Sequence, residues 1–304
     1  VVALYNYMSQ ILVELVKMAN YIVTVTRALA SGKRVARVLE METSLAAPAQ
    51  PGKPVEGAPA IVMTDVSMTY AGNAAPSLSH VTFALPRGCT LGVIGGTGSG
   101  KTTLVDLIPR FYEASEGVVS VFGTPVGQYD LDTLRGMIGV VPQRAALFSG
   151  TIRDNLLWGN PDATDDDLQS ALRTAQALDV VASKPLGLDE PVEAGGKNFS
   201  GGQRQRLTIA RALVAKPEIL ILDDSASALD YATDARLRRA LREDLAGMTV
   251  VVVSQRTSSV RHADLILVLD EGNVVGMGTH DELRETCPVY REICMTQERG
   301  GEAK

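Results

Sequence analysis

The stretch from Ile61 to the end predicts an α/β fold with a mostly parallel sheet covered on both faces. Three observations carry that expectation. Five short apolar runs rich in β-branched residues, Cys89–Ile94, Met137–Val141, Ile219–Leu222, Thr249–Val253 and Leu265–Leu269, have the character of strands buried on both sides. Helical patterns lie between several of them. A glycine-rich loop follows the first run and opens a helix over Thr103–Leu107.

Residues 1–44 read as one long helix, because Leu4, Met8, Ile11, Leu12, Leu15, Met18 and Ile22 recur at helical spacing with no Pro or Gly before Gly32. Glu14, Lys17 and Asn20 argue against a free-standing span of about twenty apolar residues in lipid. Two readings remain open: an amphipathic helix packed on its own domain, or the cytosolic end of a membrane helix. Arg27, Lys33, Arg34 and Arg37 stand on the side that the positive-inside rule makes cytosolic. Residues 45–60 hold four prolines in sixteen positions, which predicts an extended linker rather than a packed element. Further on, Thr164–Ser183 predicts a single helix, with Thr164 as N-cap, Asp167 three residues later and a stripe of Leu168, Leu172, Ala175 and Leu178.

Bulk properties exclude several classes. The 304 residues, 45% apolar and 21% charged, are ample for a globular core. A net charge of −6 opposes non-specific nucleic-acid binding, which needs basic patches to displace counterions. Three cysteines form no CxxC pair and three histidines are scattered, so neither a zinc site nor a disulfide framework is expected.

Gly95-Gly96-Thr97-Gly98-Ser99-Gly100-Lys101-Thr102 matches the P-loop pattern G-x-x-x-x-G-K-[ST]. Glycines let consecutive N–H groups turn inward around a phosphate. Lys101 would neutralise the β- and γ-phosphates of ATP, Thr102 would offer a hydroxyl to Mg²⁺, and the helix from Thr103 would aim its N-terminus at the anion. Ile219–Leu222 followed by Asp223 supplies the second acidic group, pushed out at a strand's carboxyl end.

Phe199-Ser200-Gly201-Gly202-Gln203 resembles the signature motif of ABC ATPases, and lies shortly before the acidic strand as that family requires. The resemblance covers 61–304, and Tyr5–Glu40 resembles the last transmembrane helix of exporter-type members. It implies a P-loop NTPase (RecA-like) core with a small antiparallel β subdomain around 61–90 and a helical subdomain around 145–200. It implies domains at 1–44 (end of the last membrane helix), 45–60 (linker) and 61–304 (nucleotide-binding domain). Tyr70 matches the residue that stacks on adenine, and Gln143 the one that senses Mg²⁺ and the membrane domain. Asp230, in Ser227-Ala228-Leu229-Asp230, matches the loop that crosses the dimer interface. Mg²⁺ would be held by Thr102, Gln143 and Asp223. Ser200 to Gln203 would face the ATP of a partner subunit, at the cytoplasmic face of the cell membrane.

Two positions depart from the family. Active members place Glu after the acidic strand's Asp, to polarise the attacking water; here stands Asp224. A shorter carboxylate is withdrawn by about 1.5 Å, and a misplacement of about 1 Å costs about a hundredfold in rate. Active members also carry a His in the switch loop, where this chain has Gln255, which hydrogen-bonds but cannot become cationic. His262, seven residues on, occupies a different family position. The pair of changes implies a site kept for binding with hydrolysis suppressed, in the degenerate half of a heterodimeric exporter. Alternatives are a slow homodimeric exporter, a soluble ABC ATPase of DNA repair or ribosome function, an importer subunit, or a regulatory module glued by ATP.

Overall fold

The structure is a computed structural model that describes residues 2–41, 45, 48–245 and 247–302. Parts of the expected first segment and linker (1, 42–44, 46 and 47) lie outside the described residues. The chain divides into two compact units, Val1–Ala46 and Ala47–Lys304.

The first unit is one helix, α1 (Val2–Leu39), none of whose described residues is buried within the chain. Its length and composition suffice to cross a membrane. Lys17 donates to Glu14 at 2.7 Å on its surface, one turn away.

The second unit holds the remaining elements. Its strands are β1 (Ile61–Met68), β2 (Leu78–Leu85), β3 (Thr90–Gly95), β4 (Glu116–Val121), β5 (Thr124–Pro125), β6 (Ile138–Val141), β7 (Gly150–Thr151), β8 (Pro191–Val192), β9 (Ile219–Asp223), β10 (Thr249–Ser254), β11 (Leu265–Asp270) and β12 (Asn273–Gly278). Its helices are α2 (Lys101–Leu107), α3 (Leu131–Gly136), α4 (Ile152–Leu157), α5 (Asp165–Thr174), α6 (Leu178–Ala182), α7 (Gly201–Val214), α8 (Tyr231–Asp244), α9 (Thr257–Val260), α10 (His280–Thr286) and α11 (Pro288–Glu302).

The central sheet runs β12-β11-β3-β10-β9-β6. Every neighbouring pair is parallel except β11 with β12, which form an antiparallel edge hairpin. Alternate residues feed two separate cores. Leu220, Leu222, Val250, Val252, Ile266 and Val268 join one, while Ile219, Ile221, Val251, Val253, Leu267 and Leu269 join the other. Both faces are therefore covered, which is why these strands carry no polar alternation. The α/β expectation holds, with each of the five apolar runs forming a strand of this sheet.

A second sheet, β2-β1-β4-β5, is antiparallel. The resemblance implied such a region around 61–90, but half of it comes from beyond the P-loop helix. Ile61 pairs with both Leu85 and Val121, so β1 is the centre of a sheet closed across more than thirty intervening residues.

Two expectations are corrected in detail. Thr164–Ser183 is not one helix. Thr164 caps α5 through a reciprocal capping box with Asp167, as read, but the helix ends at Thr174 and α6 starts at Leu178. Between them Gln176 takes φ of 55°, and its carbonyl, like the Asp179 carboxylate, accepts from the Arg206 guanidinium of α7. The helix closes locally without Gly or Pro: Gln176 takes the left-handed position, Ala177 N–H donates to Leu172 O at 2.7 Å and Gln176 N–H to Arg173 O at 3.0 Å. Residues 48–60, expected as an extended linker, contain bends at 49–50 and a turn at Glu56–Gly57, and their later half is tied to the antiparallel sheet. Gly52 N–H donates to Gln128 O at 2.7 Å and Val55 N–H to Phe122 O at 2.8 Å, while Thr124 Oγ1 donates to Lys53 O at 2.7 Å. Arg87 donates to the carbonyls of Val55 and Ala58 at 3.1 Å each. Proline fixed the backbone without freeing it from hydrogen bonding.

Candidate functional site

Four adjacent strands, β3-β10-β9-β6, carry the sequence-predicted residues to one edge of the sheet. Ser254 is in register with Ile94, Val253 with Asp223, and Val141 with Leu222. The residues that follow these strand ends, Gly95–Thr102, Gln255, Asp224 and Gln143, therefore emerge side by side. In an open α/β sheet that carboxyl edge is where ligands sit.

The loop after β3 turns through Gly98 and Gly100, at φ of 81° and 96°. At Gly100 a Cβ would come within 2.5 Å of Ser77 O, so both the backbone angle and the close approach demand glycine. Gly96, Thr97 and Gly98 are exposed, whereas Ser99 is buried. Lys101, only 8% exposed, donates from Nζ to Gly95 O at 3.0 Å. Burial lowers its pKa, and the carboxylates of Asp224 and Asp223 oppose that shift. Thr102 Oγ1 donates to Asp223 at 3.1 Å. Burial pushes the Asp223 carboxyl up, offset by the Thr102 hydrogen bond and reinforced by Asp224. The result is one ammonium, held by its own loop, within electrostatic reach of two carboxylates in a partly desolvated corner.

Asp224 sits in the left-handed region at φ of 44°. Its N–H donates to Val253 O at 2.9 Å, and Gln143 Nε2 donates to its Oδ2 at 3.1 Å. Gln143 and Asp224 are thus brought together. Gln255 follows buried Ser254 and is itself exposed.

Tyr70 is half-buried, donates from Oη to Thr103 Oγ1 at 3.1 Å, and meets Tyr112 edge to face at 5.0 Å. Thr103 is buried, with its hydroxyl engaged by Tyr70. Tyr112 was not read from the sequence, though it lies just past the P-loop helix.

Ser200 opens α7 with a capping box: Gln203 N–H donates to Ser200 Oγ at 3.3 Å, and Ser200 N–H to Gln203 Oε1 at 2.9 Å. A Cβ on Gly201 would meet nothing within 4 Å, so this helix end faces open space, while one on Gly202 would come within 3.2 Å of Ala228 O. Asp230 caps α8, accepting from Thr233 N–H at 2.9 Å. That hydrogen bond holds its carboxyl below the usual carboxylate range.

Asp106 was missed. It stands one helical turn past Thr102 on α2, and burial, then the charge of Asp223, push its carboxyl up to about 6. The signal was available, since i and i+4 share a helix face. Gln297 was also missed. It reaches the switch loop from α11, forty residues further along the chain, and no local pattern announces it.

The ABC transporter family model matches residues 78–227. The chain is 40% identical over 300 residues to an uncharacterized ABC transporter ATP-binding protein of Mycobacterium tuberculosis, covering 97% of this chain and 51% of that one. It is 43% identical over 280 residues to the probable multidrug resistance ABC transporter ATP-binding/permease protein YheI of Bacillus subtilis, covering 90% and 48%. Among solved structures, a bacterial Atm1-family ABC exporter with ATP bound superposes with a TM-score of 0.84 at 30% identity, over 90% of this chain and 48% of that one. The chain thus spans about half the length of the relatives it matches. The strand-end cluster, the capped Gly201–Val214 helix and these likenesses agree, and the chain belongs to the ABC transporter family.

Proposed function

We propose that this chain binds Mg-ATP at a site impaired for hydrolysis, and completes a partner's site in trans to power export across a membrane. Thr102 and Asp223 are hard oxygen donors 3.1 Å apart, the donor type Mg²⁺ prefers, and Gln143 stands next to them through Asp224. Mg²⁺ would supply charge neutralisation for the phosphates. Lys101 and the N–H groups of Gly95–Thr103 would hold the phosphates, and Tyr70 would stack on the adenine. Ser200–Gln203 and Asp230 would face the ATP of a second half-transporter, a heterodimeric partner whose own site is competent. The helix Val2–Leu39 and the ATP-binding/permease names of relatives favour a membrane-attached domain at the cytoplasmic face over a soluble ABC ATPase.

The observation that carries the impairment is the pairing at the strand ends. Asp224 reaches one methylene less far than Glu, and its Oδ2 accepts from Gln143, which leaves less of it to orient water. Gln255 offers an amide where a titratable imidazole would stand. Steady-state Mg-ATP hydrolysis of the chain is to be compared with Asp224→Glu/Gln255→His after equal ATP binding is verified. Turnover at least tenfold faster in the replacement supports the impaired site. Equal turnover sinks it and favours the slow homodimer, for which the retained carboxylate at Asp224 already speaks.

A further inference from the structure

The short helix α9, which follows the switch residue Gln255, lacks a cap of its own. Its N-cap position is Arg256, whose side chain accepts no hydrogen bond from the first turn. Uncapped first-turn N–H groups are costly unless another group accepts from them. Here the acceptor comes from α11. Gln297 Oε1 accepts from Thr257 N–H at 2.9 Å and from Thr257 Oγ1 at 3.0 Å, while its Nε2 donates to Gln255 O at 2.7 Å. One amide thus grips the backbone on both sides of Arg256 and spends both of its functions doing so. The Arg256 guanidinium itself lies over the Tyr231 ring at 5.1 Å, at the start of α8, so the segment is held from two elements.

We propose that Gln297 is the positioning residue of the switch loop, and through it sets the preference of the site for a triphosphate over a diphosphate. This rests on the ATP-binding reading above, with the Gln255 amide, at the same sheet edge as Gly95–Thr102, taken to meet the terminal phosphate. An uncharged Gln255 has only hydrogen-bond geometry to offer a phosphate, so its value depends on how well its backbone is fixed. A His in that place would keep a charge contribution that tolerates some play.

The test uses the whole chain in detergent, with Mg-ATP and Mg-ADP titrated calorimetrically into wild type, Gln297→Ala and Gln297→Glu. Amide hydrogen exchange at Thr257 is followed without nucleotide. Gln297→Ala is expected to lose about tenfold in ATP affinity, with ADP affinity within about twofold of wild type. Gln297→Glu keeps the acceptor for Thr257 but loses the donor to Gln255, and should fall between. Thr257 exchange should speed up in the alanine variant alone. Equal weakening of both nucleotides would reduce Gln297 to a general structural role and overturn the proposal, as would faster Thr257 exchange with an unchanged ATP-to-ADP ratio. If wild type binds neither nucleotide, the ATP-binding reading fails and the selectivity role falls with it. Exchange at Thr257 then reports on the clamp alone.

Discussion

At the scale of single residues the site is a problem of crowded charge. Lys101, Asp223, Asp224 and Asp106 share one corner, and burial pushes each shifted group toward its neutral form. Asp106 shows the consequence most directly. In the folded chain its carboxyl titrates at about 6, against 3.8 ordinarily. Between those two values the folded form keeps a proton that the unfolded chain has released. Stability therefore falls as pH rises through that window and stays lowered above it. Asp106→Asn removes the titration. Denaturant unfolding should find the variant level with wild type near the lower end of the window, and ahead by about 1 kcal/mol at pH 8 once partial solvent screening is allowed for. A constant difference across that range would contradict the assignment. Lys101 is a second test at this scale. Lys101→Ala should weaken ATP binding by at least about tenfold while leaving the Tm close to wild type, because among the described residues the ammonium's hydrogen bonds go to its own loop. Calorimetry and thermal melting on one preparation check both halves.

At the scale of elements, helix starts are written in capping residues, while a helix end closed by a non-glycine residue in the left-handed position leaves no such mark. The start of α5 was readable because Thr164 and Asp167 stand three apart before an apolar stripe. Thr164→Ala should cost about 1 kcal/mol in chemical denaturation. Its end was not readable. Ala175, Gln176 and Ala177 contain no Gly or Pro, yet Gln176 takes the left-handed position that lets Ala177 N–H close on Leu172 O, and Arg206, thirty residues later, holds its carbonyl. The same division runs through the site. The strand-end placement of Gly95–Thr102 and Asp223 and the helix cap at Ser200 were legible because each rests on particular residue types at fixed local spacing. The contacts of Gln297 with Thr257 and Gln255, and of Tyr112 with Tyr70, were not, because they join segments with no shared periodicity. The parallel strands were plain from composition, whereas β4 escaped. Its Glu116-Gly117-Val118-Val119 start has neither a long apolar run nor clean alternation, and it is recruited by β1 across the whole P-loop helix.

At the scale of the whole molecule, the two units place different demands on their surroundings. The second buries two cores against one sheet. The first exposes Leu4, Ile11, Leu15, Met18 and Ile22 along its length. Contiguous apolar surface of that kind marks a membrane or partner contact. The full chain should therefore float with phosphatidylcholine vesicles in a density gradient, while a chain beginning at residue 47 should stay at the bottom with an unchanged Tm. Equal partitioning of the two would rule out a lipid-facing role for Val2–Leu39.

The strap from Gly52 to Ala58 has a mechanical meaning. A pull on the linker from its N-terminal side would first load the hydrogen bonds of Gly52, Lys53 and Val55 to Gln128, Thr124 and Phe122. All of these belong to β4, β5 and the turns around them, so tension enters through the antiparallel sheet. The strands that carry Lys101, Asp223 and Gln255 lie further along the load path. In a force-extension experiment with handles at the N-terminus and on α8, the first rupture should release this strap, a small step in contour length, before the parallel sheet yields. The linker behaves less as a slack tether than as a seam, stitched at the edge of the sheet furthest in connectivity from the P-loop.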